Sequence, residues 1–269
     1  MKFLISDYST PWNTEPFYIN AALSKINIES KIFDSRSSIY DEFDLFKPDI
    51  LITHISGVSK DMIHYMLSNK NISLLININN IDTTSLEDFA ASLSDKKINA
   101  KFFGNSNLEL KNGSYIKILE SADIFLNSGN AEYSIEKLIF VEKEEDIVEL
   151  DGTYHYSSWN HKLADKVDFI LPVHVLNTLF RNYKEIVFKG RSYIGSQLAF
   201  NSIYSGTKVT FDTKDTKDLD KIDDIFKGQK LLSSVKNKHT CLHRLKTLLN
   251  SLHIDDKASE LTKIIGEIK

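Results

Sequence analysis

Short apolar runs alternate with longer amphipathic segments along the first half of the chain. The runs predict strands at 2–6, 30–33, 50–53, 73–78, 100–103 and 123–127. They are apolar on both faces, which is typical of parallel strands covered by helices. Segments 15–24, 59–68 and 85–94 are predicted as the crossover helices, the last with Thr84 and Ser85 as cap residues. The alternation therefore predicts βαβ units.

The pattern changes at an acidic stretch, residues 142–151, which we interpret as a boundary or a solvated connector. We place the crossover between the halves near residues 130–150. Beyond it, strands are predicted at 169–173, 185–189 and 208–212, a helix at 196–204, and further helices from about residue 218 onward. The expected architecture is α/β, with two Rossmann-like domains at residues 1–135 and 136–269.

Composition narrows the class of protein. The chain has 269 residues, 42% of them hydrophobic and 26% charged, as in ordinary globular proteins. A net charge of -4 argues against a surface that coats nucleic acid non-specifically. Cys241 is the single cysteine, so neither an internal disulfide nor a cysteine zinc cluster is expected. With no signal-like segment and no long apolar run, we expect a cytoplasmic protein without a membrane span.

The loop after the first strand is rich in hydrogen-bonding and aromatic side chains. In open parallel sheets, ligands bind beyond the carboxyl ends of the strands. A helix start at Thr14-Glu15-Pro16 could face an anion or a sugar, although a capped turn with Trp12 packed on the core is an alternative. The loop residues expected to contact a ligand, as catalytic groups or as the binding wall, are Asp7, Ser9, Trp12, Asn13, Glu15 and Tyr18.

Two further residues follow strands in the first half. His54 ends the third predicted strand and is a candidate base or substrate ligand, although a lone histidine is more often structural. Asp82, after the fourth strand, is a comparable carboxylate, with helix capping as its alternative role. Neither a Gly-x-Gly-x-x-Gly loop nor a Walker lysine motif is present, which argues against dinucleotide oxidoreductases and P-loop enzymes.

In the second half, segment 185–211 reads as strand, loop, helix, glycine stop and strand. Gly195 and Ser196 at the helix start would expose backbone N–H groups, and Lys189 and Arg191 are adjacent, as a diphosphate requires. Gln197 and Asn201 share a helix face at i and i+4 and could contact a sugar. The alternative is a capped crossover with two solvated basic residues.

Residues 152–161 form an aromatic and hydroxyl-rich segment that could stack a base or line a sugar pocket. His155 and Ser157 are its candidate ligand contacts. His155 and His161 are too far from carboxylates in the sequence to predict a metal site.

Two pieces of the second half resemble the carboxyl-terminal domain of glycosyltransferases of the GT-B architecture, especially the branch similar to spore-maturation glycosyltransferases. One is the helix and strand at 195–209, which is similar to the donor-binding helix of that family. The other is His239-Thr-Cys-Leu-His-Arg, which resembles the His-Thr-x-x-His-Arg helix of the family. Asn201 stands where the family commonly has an acidic residue.

The resemblance implies that a sugar passes from a nucleotide diphosphate to an acceptor hydroxyl in a cleft between two facing domains. The second domain would hold the donor, without an obligatory metal or cofactor, and the first would hold the acceptor, a glycan, a small molecule or a modified DNA base. His54, Glu15 or Asp7 would be the base. A catalytically inactive nucleotide- or sugar-binding module and a protein-interaction module remain alternatives.

Overall fold

The computed structural model describes residues 1–9, 13–34, 38–69, 71–79, 85–105, 108–118, 121–122, 135–148, 154–171, 173–190, 192–212 and 231–268. The chain divides into two compact units. Unit 1 comprises Met1–Ser9, Glu15–Leu119 and Leu245–Ile264, and unit 2 comprises Thr10–Thr14, Glu120–Arg244 and Ile265–Lys269. The domain boundary expected at residues 135 and 136 stays a prediction.

The described residues of unit 1 form a six-stranded parallel sheet in the order β2-β1-β3-β4-β5-β6. Its strands are β1 (Lys2–Ser6), β2 (Glu29–Phe33), β3 (Ile50–His54), β4 (Ser73–Asn77), β5 (Ala100–Gly104) and β6 (Ser114–Lys117). The first five lie within a residue of their predicted positions because continuous apolar runs mark strands that are covered on both faces. The short polar strand β6 was not predicted.

Helices follow the first four strands of unit 1: α1 (Glu15–Lys25), α2 (Ile39–Phe46), α3 (Lys60–Ser68) and α4 (Leu86–Asp95). Ser59 caps α3, its Oγ accepting the Met62 N–H at 3.1 Å, whereas Ser85 occupies the cap position of α4 without a side-chain cap bond. Phe43 of α2, Met62 and Met66 of α3, and Leu86, Ala90 and Leu93 of α4 share one core with the sheet. These three helices therefore cover the same face.

The strand order of unit 1 contains a reversal. From β1 the chain moves to β2 on one side, and it then passes β1 to reach β3 on the other side. The carboxyl ends of β1 and β3 therefore flank a topological switch point, where ligands of open parallel sheets bind. The residues that follow Ser6 and His54 are therefore candidate ligand contacts.

The described residues of unit 2 form a four-stranded parallel sheet in the order β10-β9-β7-β8. Its strands are β7 (Ile135–Val141), β8 (Tyr154–Ser157), β9 (Tyr183–Lys189) and β10 (Lys208–Phe211). Here too the second strand lies on one side of the first and the third on the other. The switch point of unit 2 lies between β7 and β9. The predicted α/β class with two parallel sheets is confirmed.

Helices α5 (Val173–Leu179) and α6 (Gln197–Tyr204) belong to unit 2. Leu176, Leu198 and Ala199 from these helices pack with Phe140 and Phe188 of the sheet. Ser196, predicted as the first residue of α6, is its N-cap, and Oγ of Ser196 accepts the Ala199 N–H at 3.2 Å. The opposite face of the sheet packs through a smaller cluster of Ile139, Val141, Leu163 and Val187.

One prediction in the second half is wrong, and β7 was not predicted. The predicted strand 169–173 is only an isolated bridge between Ser157 and Phe169, and α5 begins at Val173. Pro172 has no N–H to continue a ladder and instead favours a helix start. The strand β7 was not predicted, although Ile135–Val141 carries charges only at its second and third positions. The predicted strand 123–127 lies outside the described residues.

The chain ends in helices α7 (Leu231–Lys238), α8 (Cys241–Ser251) and α9 (Asp255–Glu267). Part of this segment belongs to unit 1, where Nζ of Lys257 donates to the Ile26 carbonyl oxygen at 2.8 Å. Cys241 is buried and forms no disulfide, and its backbone N–H donates to the Ala122 carbonyl oxygen at 2.9 Å. In the part of the chain that the structure describes, no helix has the length and apolarity to cross a membrane.

Candidate functional site

His54 ends β3 with both ring nitrogens engaged. Nε2 lies 2.9 Å from the Asn79 carbonyl oxygen, and Nδ1 lies 2.7 Å from Oγ of Ser56. Because a carbonyl oxygen only accepts, the neutral ring must carry its proton on Nε2. The Ser56 backbone N–H also points at Nδ1, at 3.3 Å. If this imidazole acts as a base, the basic atom is therefore Nδ1, and it faces Ser56.

Glu15 opens α1, yet it is only 1% exposed. Its carboxylate accepts a hydrogen bond from Nδ2 of Asn77, the last residue of β4. Oδ1 of Asn77 accepts the Asn79 N–H at 2.8 Å, and the Asn79 carbonyl oxygen is the partner of His54. Two asparagines that were not predicted as site residues thus connect the predicted catalytic residues Glu15 and His54.

Asn79 also binds the next loop of unit 1. Its Oδ1 accepts the Asn105 N–H at 2.8 Å, and a Cβ at Gly104 would lie 2.9 Å from that oxygen. Nδ2 of Asn79 is buried and donates to no other described residue. The carboxyl ends of β3, β4 and β5 are therefore joined through one asparagine that retains a free donor.

The other predicted residues of the first loop differ in their exposure. Asp7 is exposed, and its Oδ1 accepts from the Ser9 N–H at 3.0 Å and from Oγ of Ser9 at 2.6 Å. Tyr18 is 2% exposed and belongs to the core. Asn13 forms an isolated bridge and is half-buried. Trp12 and Asp82 lie outside the described residues, so their predicted contacts remain predictions.

A cavity of about 390 Å³ opens at the switch point of unit 1. It lies beyond the ends of β1 and β2, at the first turns of α2 and α3, and none of the predicted site residues lines it. No sequence motif marks it, because its wall comes from separate loops. Its lining residues are Ser6, Phe33, Ser38, Ile39, Tyr40, Gly57, Ser59, Asp61 and Met62.

In unit 2 the start of α6 is buried, whereas the sequence predicted exposed backbone N–H groups at Gly195 and Ser196. The Ser196 N–H donates to the Tyr193 carbonyl oxygen at 3.2 Å. Gly195 has a φ of 76°, which favours glycine, and Ser196 caps the helix. Gln197 is 2% exposed and pairs with Thr14: its Oε1 accepts the Thr14 N–H at 2.9 Å, and its Nε2 donates to Oγ1 of Thr14 at 2.8 Å. Asn201 is fully buried. A ligand contact by Gln197 would require this amide pair to separate.

Glu142 directly follows β7 and reaches the loop after β9. Its carboxylate accepts the Ser192 N–H at 2.5 Å and also the Ser192 hydroxyl. Gly190 permits this approach, because its φ is 141° and a Cβ there would overlap the Glu142 carboxyl group. Lys189 instead turns its Nζ toward the Asp146 carbonyl oxygen, at 3.4 Å. Arg191 lies outside the described residues. The loop thus presents two donors to an anionic oxygen.

His155 and Ser157 both lie on β8, where His155 is half-buried and Ser157 is fully buried. Nδ1 of His155 lies 2.8 Å from Oη of Tyr183, at the amino end of β9. Burial, followed by the charge of Asp168, raises the pKa of Tyr183 to about 12. The register pairs His155 with Leu138 but Lys189 with Val141, so His155 and Lys189 face opposite sides of the sheet. Ser157 is fully buried at the carboxyl end, and its Oγ lacks a partner among the described residues.

The His239–Arg244 motif forms the start of α8. Nδ1 of His243 lies 2.8 Å from Oγ1 of Thr240 and 3.4 Å from its N atom, which is a capping arrangement. The ring of His239 stacks on Phe200 of α6, with centroids 5.4 Å apart and planes 18° apart. The two pieces that resemble glycosyltransferases are therefore in direct contact. Over the described parts of the chain, no three His, Cys, Asp or Glu side chains are grouped to hold a metal.

No family model and no curated protein matches the chain. Among solved structures, it is similar to one from Listeria monocytogenes described provisionally as a UDP-N-acetylglucosamine 2-epimerase, with 9% identity, a TM-score of 0.44, and coverage of 97% of this chain and 90% of that one. The apo form of D-lactate dehydrogenase from Escherichia coli matches with 9% identity, a TM-score of 0.30, and coverage of 95% and 97%. Similarities at these values carry no inference about activity.

Proposed function

We propose that this protein is a glycosyltransferase that moves a sugar from a nucleotide diphosphate to an acceptor hydroxyl. The observation that carries the proposal is the loop after β9, whose Ser192 N–H and hydroxyl bind a carboxylate. A carboxylate and a phosphate make the same demand on a site, namely hydrogen-bond donors directed at negatively charged oxygens. The contact between Phe200 and His239 supports the same proposal, because it brings together the two motifs of the resemblance.

In the proposed reaction, the acceptor oxygen attacks the anomeric carbon and the bond from that carbon to the diphosphate breaks. The Ser192 N–H and hydroxyl and the cations Lys189 and Arg191 stabilise the charge that develops on the leaving diphosphate. A base removes the acceptor proton. Nδ1 of His54 is the proposed base, since Nε2 donates to the Asn79 carbonyl oxygen. No step of this scheme requires a metal.

Binding of the donor is tested first. A panel of nucleoside-diphosphate sugars, with the free nucleotides, is added to the full chain, and the melting temperature is recorded. At a concentration of about 100 times Kd, a ligand adds roughly 2.7 kcal/mol of stability, which raises the melting temperature by several degrees. If no nucleotide sugar or nucleotide raises it, the proposal is contradicted.

The division of roles is tested with three variants. Arg191→Ala is expected to weaken donor binding by about tenfold, since one charge-assisted contact is worth roughly 1.5 kcal/mol. His54→Ala is expected to leave donor binding unchanged and to lower the rate of transfer. Lys184→Ala is the matched control, because Lys184 is exposed and, among the described residues, forms an ion pair only with Glu136 at the start of β7. Equal losses of donor binding in Arg191→Ala and His54→Ala would refute this assignment.

A nucleotide- or sugar-binding module without catalysis is the second candidate. The hydrogen-bonded pair of Gln197 with Thr14 favours it, and so does the Glu142 carboxylate in the loop after β9. Both occupy groups that a nucleotide-sugar donor would need. Prolonged incubation with the bound nucleotide sugar separates the two candidates. The reaction products are separated by chromatography. Released nucleoside diphosphate indicates an enzyme, and an intact nucleotide sugar indicates a binding module.

A further inference from the structure

The switch-point cavity of unit 1 has a serine in its wall. Ser6 ends β1 and is 1% exposed, and its hydroxyl forms no hydrogen bond with another described residue. A Cβ built on Gly57 would lie 3.8 Å from this oxygen, so the hydroxyl is directed toward a glycine that also lines the cavity. A buried hydroxyl is ordinarily hydrogen-bonded. Ser6 therefore offers a donor and an acceptor to a molecule in the cavity.

The first turns of α2 and α3 add backbone donors. Ser38 and Ser59 cap these helices by accepting the N–H groups of Asp41 and Met62, at 3.5 and 3.1 Å. The N–H groups of Ile39 and Tyr40 in α2, and of Lys60 and Asp61 in α3, precede the first intrahelical bonds and have no acceptor among the described residues. Two helix termini thus present donors at one cavity.

The other residues that line the cavity determine which class of ligand these N–H donors can bind. Asp61 lines the cavity with an exposed carboxylate that forms no ion pair with a described residue. No lysine or arginine is among the described residues of the lining. A phosphate placed here would meet a like charge, which is unfavourable. A sugar hydroxyl, in contrast, donates to a carboxylate and accepts from an N–H group, and the side chains of Phe33 and Tyr40 offer apolar surface to a ring.

From this arrangement we propose that the cavity of unit 1 binds one ring of a neutral sugar. The volume of about 390 Å³ lies within the range of small-molecule sites and exceeds what a single hexose needs. Asp61 accepts hydrogen bonds from ring hydroxyls, and Ser6 with the first-turn N–H groups donates to ring oxygens. The site does not rest on the proposed donor chemistry, because no nucleotide takes part in it.

Nuclear magnetic resonance locates the binding directly. Glucose, galactose, N-acetylglucosamine, maltose and inorganic phosphate are each titrated into the full-length protein labelled with ¹⁵N, without any nucleotide. At least one sugar is expected to shift the amide signals of Ile39, Tyr40, Gly57 and Asp61 with saturation in the millimolar range, and phosphate is expected to leave them unchanged. If phosphate alone shifts these signals, or if none of the five probes does, the proposal is overturned.

A pair of matched variants tests the role of the carboxylate. Asp61→Asn keeps the shape of the side chain and removes its charge, and it is expected to weaken the sugar titration at least fivefold. Asp88→Asn is the control, because Asp88 is also an exposed acidic residue in the first turn of a unit 1 helix, α4, and does not line the cavity. Equal affinities in the two variants would overturn the assigned role of Asp61. Failure of every nucleotide sugar to bind would affect only the proposed transfer.

Discussion

The two sheets share one strand order around their switch points, but they differ in what lies there. In unit 1 the first strand is followed by Asp7, whose carboxylate binds Ser9 within its own loop, and a cavity remains beside it. In unit 2 the first strand is followed by Glu142, whose carboxylate binds Ser192 after the third strand. The strand order therefore brings backbone N–H groups to both switch points. In unit 2 the Glu142 carboxylate occupies these donors, and in unit 1 no acidic side chain from the first loop does so.

The largest expected effect concerns the glycine that admits Glu142. Gly190→Ala should destabilise the protein by roughly 3 kcal/mol, because the new Cβ overlaps Glu142 and the backbone φ of 141° is strained for alanine. Urea unfolding measures the loss. The control is Gly206→Ala, where φ is 85° and nothing lies within 4 Å of the added Cβ, with an expected cost of about 1 kcal/mol. If Gly190→Ala and Gly206→Ala lowered the free energy of unfolding equally, Glu142 would not occupy the switch point of unit 2.

The next largest effect concerns acid, which should destabilise unit 2 at a higher pH than unit 1. Burial alone would raise the pKa of Glu185, but hydrogen bonds from Lys208, Thr210 and Lys137 outweigh burial and lower it to about 2. The ordinary pKa is 4.5, so the stabilisation is complete above pH 4.5 and disappears as the pH falls toward 2. Hydrogen exchange should show unit 2 opening before unit 1 in this interval.

The matched variants for this test are Glu185→Gln and Glu136→Gln. The first should cost roughly 2 kcal/mol at pH 6 and almost nothing near pH 2, since a charged acceptor is removed from β9. The second should cost little at any pH, because Glu136 is exposed and Lys184 is its only ion-pair partner in the described part of the chain. If the cost of Glu185→Gln did not change with pH, the ion network across β7, β9 and β10 would not be its cause.

The smallest expected effect is on anion binding in unit 2. Glu142→Gln keeps an oxygen that can accept from Ser192 but removes the charge, so pyrophosphate should bind about fivefold more tightly than to the wild type. Isothermal titration calorimetry measures the change. Glu144→Gln is the control, because Glu144 is exposed and pairs with Lys166 at 3.2 Å. An equal gain in both variants would reflect net charge and not an occupied site.

The parts of the fold that could be predicted are those that local patterns determine. Strands such as β1 and β3 are continuous apolar runs, and Ser59 and Ser196 are recognisable caps. The strand β7 was missed because charged residues at its start resemble the acidic stretch that follows. Pro172 was the available signal against a strand at 169–173, because it has no N–H to donate to a neighbouring strand.

The candidate sites depend on contacts between distant positions, which no local pattern encodes. Glu142 and Ser192 are separated by 50 residues, and Asn77 and Glu15 by 62. A run of asparagines after β4 was the available signal for the network around His54, because amides at a strand end can bind several loops. The cavity of unit 1 gave no such signal, since α2 was not predicted.

The buried thiol of Cys241 makes the opening of unit 2 measurable in the unmodified protein. A thiol-reactive dye can reach this sulfur only when the start of α8 separates from its surroundings, because the residue is fully buried when closed. With one cysteine in the chain, every labelled molecule reports the same event. The rate of labelling can be measured while nucleotide sugars or simple sugars are added. A ligand that lowers this rate slows the local opening of α8.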